Sequence, residues 1–238
     1  MSTPTSVADV VEQLEAILHP LAKADGLACF ARLYLAVTEG VQLRLADATF
    51  ADPGFLTALD VRFATLFFST VDRPPVPRAW APLFDDRARH GIAPLQFALA
   101  GMNAHINRDL PVALVATFEE AGIPLADGSP QHADYLRVNT VLSSVEAEAK
   151  QQFLGGGWVR KLDRLIHRFD RIDDVVAMWD VSRARDAAWT NAQALWALRG
   201  DRDLYDAYLA TLDRTVGFAG RGLLVPADTV LARLARRI

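Results

Sequence analysis

The stretch GMNAHINRDLP, residues 101–111, concentrates the residue types with the greatest chemical reach in this chain. His105 and Asp109 are four residues apart, a spacing that on a helix carries both side chains to the same side, one turn apart. Two uses follow. Imidazole and carboxylate can ligate one divalent metal ion together. Without metal, the carboxylate accepts the imidazole proton, fixes the tautomer and leaves the other ring nitrogen as a general base. The plain alternative is a core histidine beside an aspartate that caps the next helix ahead of Pro111. Spacing alone does not choose among these. The cofactor is therefore unknown, with a divalent metal held by His105 and Asp109 as the candidate.

The setting of the pair narrows the search. Residues 92–107, IAPLQFALAGMNAHIN, contain no charged side chain, so this helix belongs in the middle of the fold. Polar groups buried there without partners cost roughly 1–3 kcal/mol each. Gln96, Asn103 and Asn107 lie seven and four residues apart along one side and are candidates to bind substrate or to satisfy loop backbone. Gly101, Ala98, Ala100 and Ala104 keep the surface low enough for another helix or a ligand to approach closely. Asp60 and Arg62 interrupt the apolar segment FLTALDVRFATLFF, which makes Asp60 a third catalytic candidate unless the two belong to buried pairs. In HADYLRVNTVL, Asn139 lies among apolar neighbours and joins the substrate-binding candidates, while Asp134 suits the first turn of a helix.

Other chemistry-bearing residues fit structural roles better. Cys29, the single cysteine, sits in LACFARLYLAV as a buried, inert thiol, so neither an intrachain disulfide nor a thiolate metal cluster can form. His90 precedes Gly91 at a helix end, and His19 and His132 suit surface or capping positions. His167 lies in an arginine- and aspartate-laced segment that reads as a solvated face. Asp173 and Asp174 open a long helix. Trp179, Trp189 and Trp196 suit a core. Serine-nucleophile elbow, dinucleotide fingerprint, His-Glu-x-x-His and EF-hand patterns are absent.

Helical periodicity positions all of these. Helices are expected over residues 6–24, 27–46, 53 to the turn DRPPVPR, 79–89, about 92–109, and 112 to Gly122. Further ones are expected over 132–153, 158–169 and 173–198, with two shorter helices at the end. Asp52-Pro53 reads as an N-cap followed by proline in the first turn. Pro111 should stop the central helix, since it cannot continue the hydrogen-bond ladder, and it would also suit the opening of the next helix. Alternating strand patterns and fixed-period repeats are absent. The expectation is all-α: one domain over residues 1–238, an irregular or orthogonal multi-helix bundle around the buried helix at about 92–109. A sub-boundary at Gly155–Gly157 is the alternative division.

Composition bounds the partners. Hydrophobic residues make up 51% and charged ones 23% of 238 residues, enough for a sizeable core. A net charge of −4 offers no electrostatic case for nucleic acid. The N-terminus lacks the basic-then-apolar order of a signal peptide, and no uninterrupted apolar run approaches ~18 residues, so a cytoplasmic protein without a membrane span is expected. The partner expected is a small-molecule substrate or ligand; oligomeric state is left open. Only Lys23, Lys150 and Lys161 are lysines, and such arginine-dominated composition suits a GC-rich bacterial genome.

Two resemblances bear on function. His105-Ile-Asn-Arg-Asp109 is similar to the His-x-x-x-Asp segment of the helical zinc-dependent phospholipase C and S1/P1 nuclease class, which implies zinc on His105 and Asp109 and hydrolysis. That class builds a trinuclear cluster from many histidines and an N-terminal tryptophan; here there are five histidines and the chain begins Met-Ser-Thr. At most one or two metals are implied. LDVRFATLFF, APLFDD, PLQFALAGMNAHINRDLP and DYLRVN together resemble a family of helical bacterial proteins, common in actinobacteria, that carries no assigned activity. The function expected is a small-molecule enzyme, hydrolysis first, with His105, Asp109 and Asp60 catalytic. A metal-free cyclase or isomerase, or a non-catalytic ligand- or partner-binding protein, are the alternatives.

Overall fold

The computed structural model describes residues 3–45, 50–139, 142 and 181–226. Every regular element among these residues is helical, which makes the protein all-α, a multi-helix bundle. The expected Gly155–Gly157 hinge, the helix at 158–169 with His167, and the Asp173-Asp174 turn lie outside the described residues.

Helix α1, Val7–Leu18, starts at Ser6, whose hydroxyl accepts the Asp9 amide while the Asp9 carboxylate returns to the Ser6 amide. Val7, Val10, Leu14 and Ile17 form its buried stripe. It ends at Leu18 rather than at residue 24: His19 still donates to the Glu15 carbonyl, but Pro20 has no N–H to continue the ladder. Helix α2, Gly26–Leu45, packs on α1. Helix α3, Pro53–Asp72, opens as the sequence predicts, with Asp52 accepting the Phe55 amide at 3.0 Å and Pro53 in the first turn. By length and hydropathy alone α3 is long and apolar enough to cross a membrane, a test that the core helix of a bundle also passes. Asp60 and Arg62 break the run without lowering the mean hydropathy enough, and seven residues of α3 are buried in the core.

Helix α4 is confined to Ala81–Asp86, and Gly91, at φ 84°, turns the chain toward α5, Pro94–Ala104. The expected break at Pro111 does not occur. A π-helical turn, His105–Asp109, joins α5 directly to α6, Leu110–Ala121, so one helical rod runs from Pro94 to Ala121. In the π turn the Leu110 amide donates to the His105 carbonyl, five residues back. The wider turn restarts the ladder and places Pro111 in the first turn of α6, where its missing N–H costs nothing. Gly122, at φ 66°, caps α6 as expected.

Residues 130–139 form α7, followed among the described residues by α8, Val181–Leu198, and α9, Arg202–Leu223. Of the two shorter helices expected at the end, α9 is described and runs to Leu223, while residues 227–238 lie outside the described residues. Its glycines do not break it, because they are contact points. A Cβ at Gly217 would collide with the Arg78 carbonyl, and one at Gly220 would press on Pro82 at 3.4 Å. The rod α5–π–α6 packs on α2, α3, α8 and α9 in turn. Gly101 gives α2 its close approach: a Cβ there would fall within the Phe30 ring. The low surface read from the sequence thus receives a helix.

Candidate functional site

His105 and Asp109 lie on the π turn at the centre of the rod, both buried. Imidazole Nδ1 is 3.3 Å from Asp109 Oδ2. The same oxygen accepts the indole N–H of Trp80 at 2.9 Å, and Oδ1 accepts Arg108 Nη1 at 2.8 Å. Asp109 is therefore held by three donors from two segments, and it caps no helix with its side chain.

A longer circuit supports this arrangement. Arg108 Nε lies 3.6 Å from Asp213 Oδ1 on α9. The Asp213 carboxylate accepts the backbone amides of Arg78 at 2.9 Å and Ala79 at 3.0 Å. Those amides immediately precede Trp80, so α9 secures the segment that delivers the indole to Asp109. Tyr34, Trp80, Arg108 and Asp213 were not singled out by sequence reasoning. Each is brought in by an element distant in the chain, and none stands out from its local pattern.

Aromatic rings enclose the imidazole. Phe63 of α3 stacks on it at 3.5 Å with planes 7° apart, and Tyr34 of α2 meets it edge-on at 4.5 Å. Phe30, Trp80 and Phe67 lie at 5.7, 5.9 and 6.1 Å. Burial lowers the affinity of His105 for a second proton, opposed by the hydrogen bond and charge of Asp109. The ring is neutral; with Nδ1–H directed at Asp109, Nε2 carries the lone pair.

Asp60 precedes Phe63 by one turn of α3, which puts its carboxyl on the face that carries the stacked ring. Burial pushes this carboxyl up to about 7. Its partner in the sequence pattern, Arg62, pairs with Glu120 of α6 instead. The Tyr34 hydroxyl is raised well above its ordinary range by burial first and then by the charges of Asp60 and Asp109. His105 Nε2, Asp60 Oδ2 and Tyr34 Oη are buried without a hydrogen-bond partner among the described residues, as are Arg62 Nε and Arg108 Nε beside them. Native structures leave few such atoms unpaired, because each costs roughly 1–3 kcal/mol.

The amides face elsewhere. Asn103 donates to the Val216 carbonyl of α9 at 3.0 Å and accepts from Asn107 at 3.2 Å. Gln96 accepts the Ala93 amide and donates to the carbonyls of Leu223 and Val225, closing the end of α9. Asn139 accepts from Arg185, whose guanidinium also lies 4.0 Å over the Tyr135 ring. Asp134 accepts the backbone amides of Ala51 and Asp52 and is latched to the start of α3. Gln96 and Asp134 thus serve helix ends, while Asn103, with Asn107 behind it, and Asn139 tie their helices to α9 and α8. His132 stacks on Trp189 at 4.2 Å, and Cys29 is buried as a free thiol.

The donor set does not suit a metal ion. Both Asp109 oxygens already receive N–H donors, one from a guanidinium, and a cation would have to displace them. No group of three His, Cys, Asp or Glu side chains able to hold an ion occurs among the described residues. The arrangement can instead move protons: a neutral, oriented imidazole, a carboxyl poised near neutrality and a phenol lie in one low-dielectric neighbourhood.

No curated protein and no solved structure matches the chain. A match to a family of unknown function extends over residues 7–226, nearly the whole chain, and on that ground the protein belongs to the DUF5995 family.

Proposed function

We propose that this protein is a small-molecule enzyme working by metal-free acid–base catalysis, and that it isomerises or cyclises its substrate. His105 Nε2 is the general base, and Asp109 positions its ring through Nδ1. Asp60, with a carboxyl near neutrality, returns or relays the proton, and the Tyr34 hydroxyl donates a hydrogen bond. One observation carries this reading: three buried polar atoms of complementary proton-transfer chemistry lack partners around an imidazole that is itself fully oriented. The hydrolytic, metal-bound reading implied by the zinc phospholipase C resemblance is the weaker, because its two ligands are one histidine and a carboxylate already engaged by three N–H donors, one of them cationic. A core-locking histidine is the second reading, favoured by the close stack of Phe63 on the ring.

The test is metabolite profiling in D2O. Wild-type protein, His105→Gln and Asp109→Asn are each incubated with a cell extract, and small molecules are compared by mass spectrometry. The expected result is a metabolite that changes in amount and gains deuterium at carbon only with wild type. Identical profiles from all three proteins would support the core-locking reading. Stoichiometric zinc, iron or manganese in untagged protein, lost in His105→Ala, would overturn the metal-free mechanism.

A further inference from the structure

We infer that the outer face of α9 is a self-association surface, on which a second copy of this chain docks its own α9 antiparallel. Among the described residues, two of the exposed large hydrophobic side chains stand on this helix, Leu204 at 53% and Phe218 at 77% exposure. Their separation in sequence corresponds to about four helical turns, or ~21 Å, so they share one face. Thr211 stands midway between them, and Ala207, Arg214 and Arg221 fill the intervening turns; all are exposed. Leu204, Thr211 and Phe218, with Ala207, Arg214 and Arg221, thus form two series that recur at heptad spacing, the seam of a two-helix pair. The opposite face is fixed. Gly217 and Gly220 are buried against the 78–82 segment, and Asp213 holds the Arg78 and Ala79 amides. A helix held in this way loses little freedom when its outer face is covered.

A second copy fits this face because the face complements itself. With a twofold axis at the midpoint of α9, between Leu212 and Asp213, two copies overlap along the whole of Arg202–Leu223. That register lays Phe218 on Ala207 of the other copy, large on small, and Leu204 on the alkyl stem of its Arg221. It also brings each Arg221 guanidinium beside Asp203 of the other copy. On this helix Arg202 pairs with Asp206, whereas Asp203 and Arg221 form no ion pair among the described residues. Arg214 nears its counterpart at the axis, and its guanidinium is turned aside to Thr211 Oγ1 at 2.9 Å. A parallel pair would instead oppose Asp203 to Asp203 and Arg221 to Arg221. The segment after Pro226 is the other occupant within reach. Its Arg233, Arg236 and Arg237 outnumber Asp228, and a return along α9 would carry them past Arg221 and Arg214, against like charge. The contact is one helix wide, at the low end of interface size, which sets a weak dimer with a Kd of roughly 0.1 mM.

Sedimentation velocity on the full chain, from ~5 μM to ~1 mM, reads the association. Expected is a rise from the monomer mass of 26.1 kDa toward twice that value, with no larger species. Phe218→Ala should weaken association by about tenfold or more. The melting temperature of the dilute variant should stay within about 2 °C of wild type, because the ring is exposed in the monomer. Arg221→Asp and Asp203→Arg should each weaken association by about threefold or more, and the double variant should restore it, since the antiparallel register sets these two positions together. A chain that stays monomeric to ~1 mM, association untouched by Phe218→Ala, or a double variant as weak as either single one overturns the inference. So does a melting temperature for dilute Phe218→Ala that falls by more than about 4 °C, which would place another segment of the same chain on the face.

Discussion

Replacing Asp60 by asparagine keeps the shape of the side chain and deletes a titration from the core. The carboxyl stands at about 7 in the folded chain because burial disfavours its charge, against about 4 in the unfolded chain. Below about pH 4 both states hold the proton and the contribution of Asp60 to stability is fully present. As pH rises from there, the folded state keeps a proton that the unfolded state has lost, and stability falls by up to ~1.4 kcal/mol per pH unit until about pH 7. Between pH 5 and pH 8 the loss due to Asp60 amounts to about 2–3 kcal/mol. His105 acts in the opposite sense, since its folded affinity for protons is lowered and its contribution rises with pH up to about 6.5. Both proteins contain His105, so its share cancels in the difference. The groups that bear on Asp60 are Tyr34 of α2 and Arg62 of its own helix, the latter drawn away to Glu120. Urea unfolding of wild type and Asp60→Asn at pH 5, 6, 7 and 8 measures the effect. The variant should gain about 2–3 kcal/mol on wild type across that range. Parallel curves, with a difference constant to about 0.5 kcal/mol, would refute the assignment of Asp60 as a buried carboxyl titrating near neutrality.

Two further substitutions test the frame around the site. Asp109→Asn replaces a buried carboxylate that satisfies Trp80, Arg108 and His105, and leaves the part-buried guanidinium with Asp213 alone; thermal and urea melts should show a loss of about 1–3 kcal/mol. Loss below about 1 kcal/mol would show that the three donors find other partners. Gly101→Ala drives a Cβ into the Phe30 ring and should cost about 1–3 kcal/mol, with part of the loss recovered when Phe30→Leu is added. A neutral Gly101→Ala would mean that α2 and α5 can separate freely.

Local rules carried a good deal of the fold and part of the site. Asp52-Pro53 starts α3 and Gly122 ends α6 because capping depends on a few adjacent residues. His105, Asp109 and Asp60 were legible as polar groups on helices otherwise apolar, an exception that burial makes expensive. The break expected at Pro111 is absent, because the π turn before it restarts the ladder and leaves Pro111 in the first turn of α6. Gly217 and Gly220 carried no local signal of their use, which is close approach to the 78–82 segment. Tyr34, Trp80, Arg108 and Asp213 had no local signal, since their significance lies in contacts made across separate helices.

The sequence by itself determined that the chain is helical, that the segment 92–109 is central, and that His105 and Asp109 share a side. Periodicity and spacing are properties of consecutive residues, so they survive without a tertiary structure. Only the tertiary structure decided what each polar group meets. It turned Asn103 and Gln96 to the carbonyls of α9, spent Asp109 on Trp80 and Arg108, and left His105 Nε2, Asp60 Oδ2 and Tyr34 Oη unpartnered. Hydrogen bonds form between groups that packing brings within about 3 Å, and that proximity is set by the whole fold.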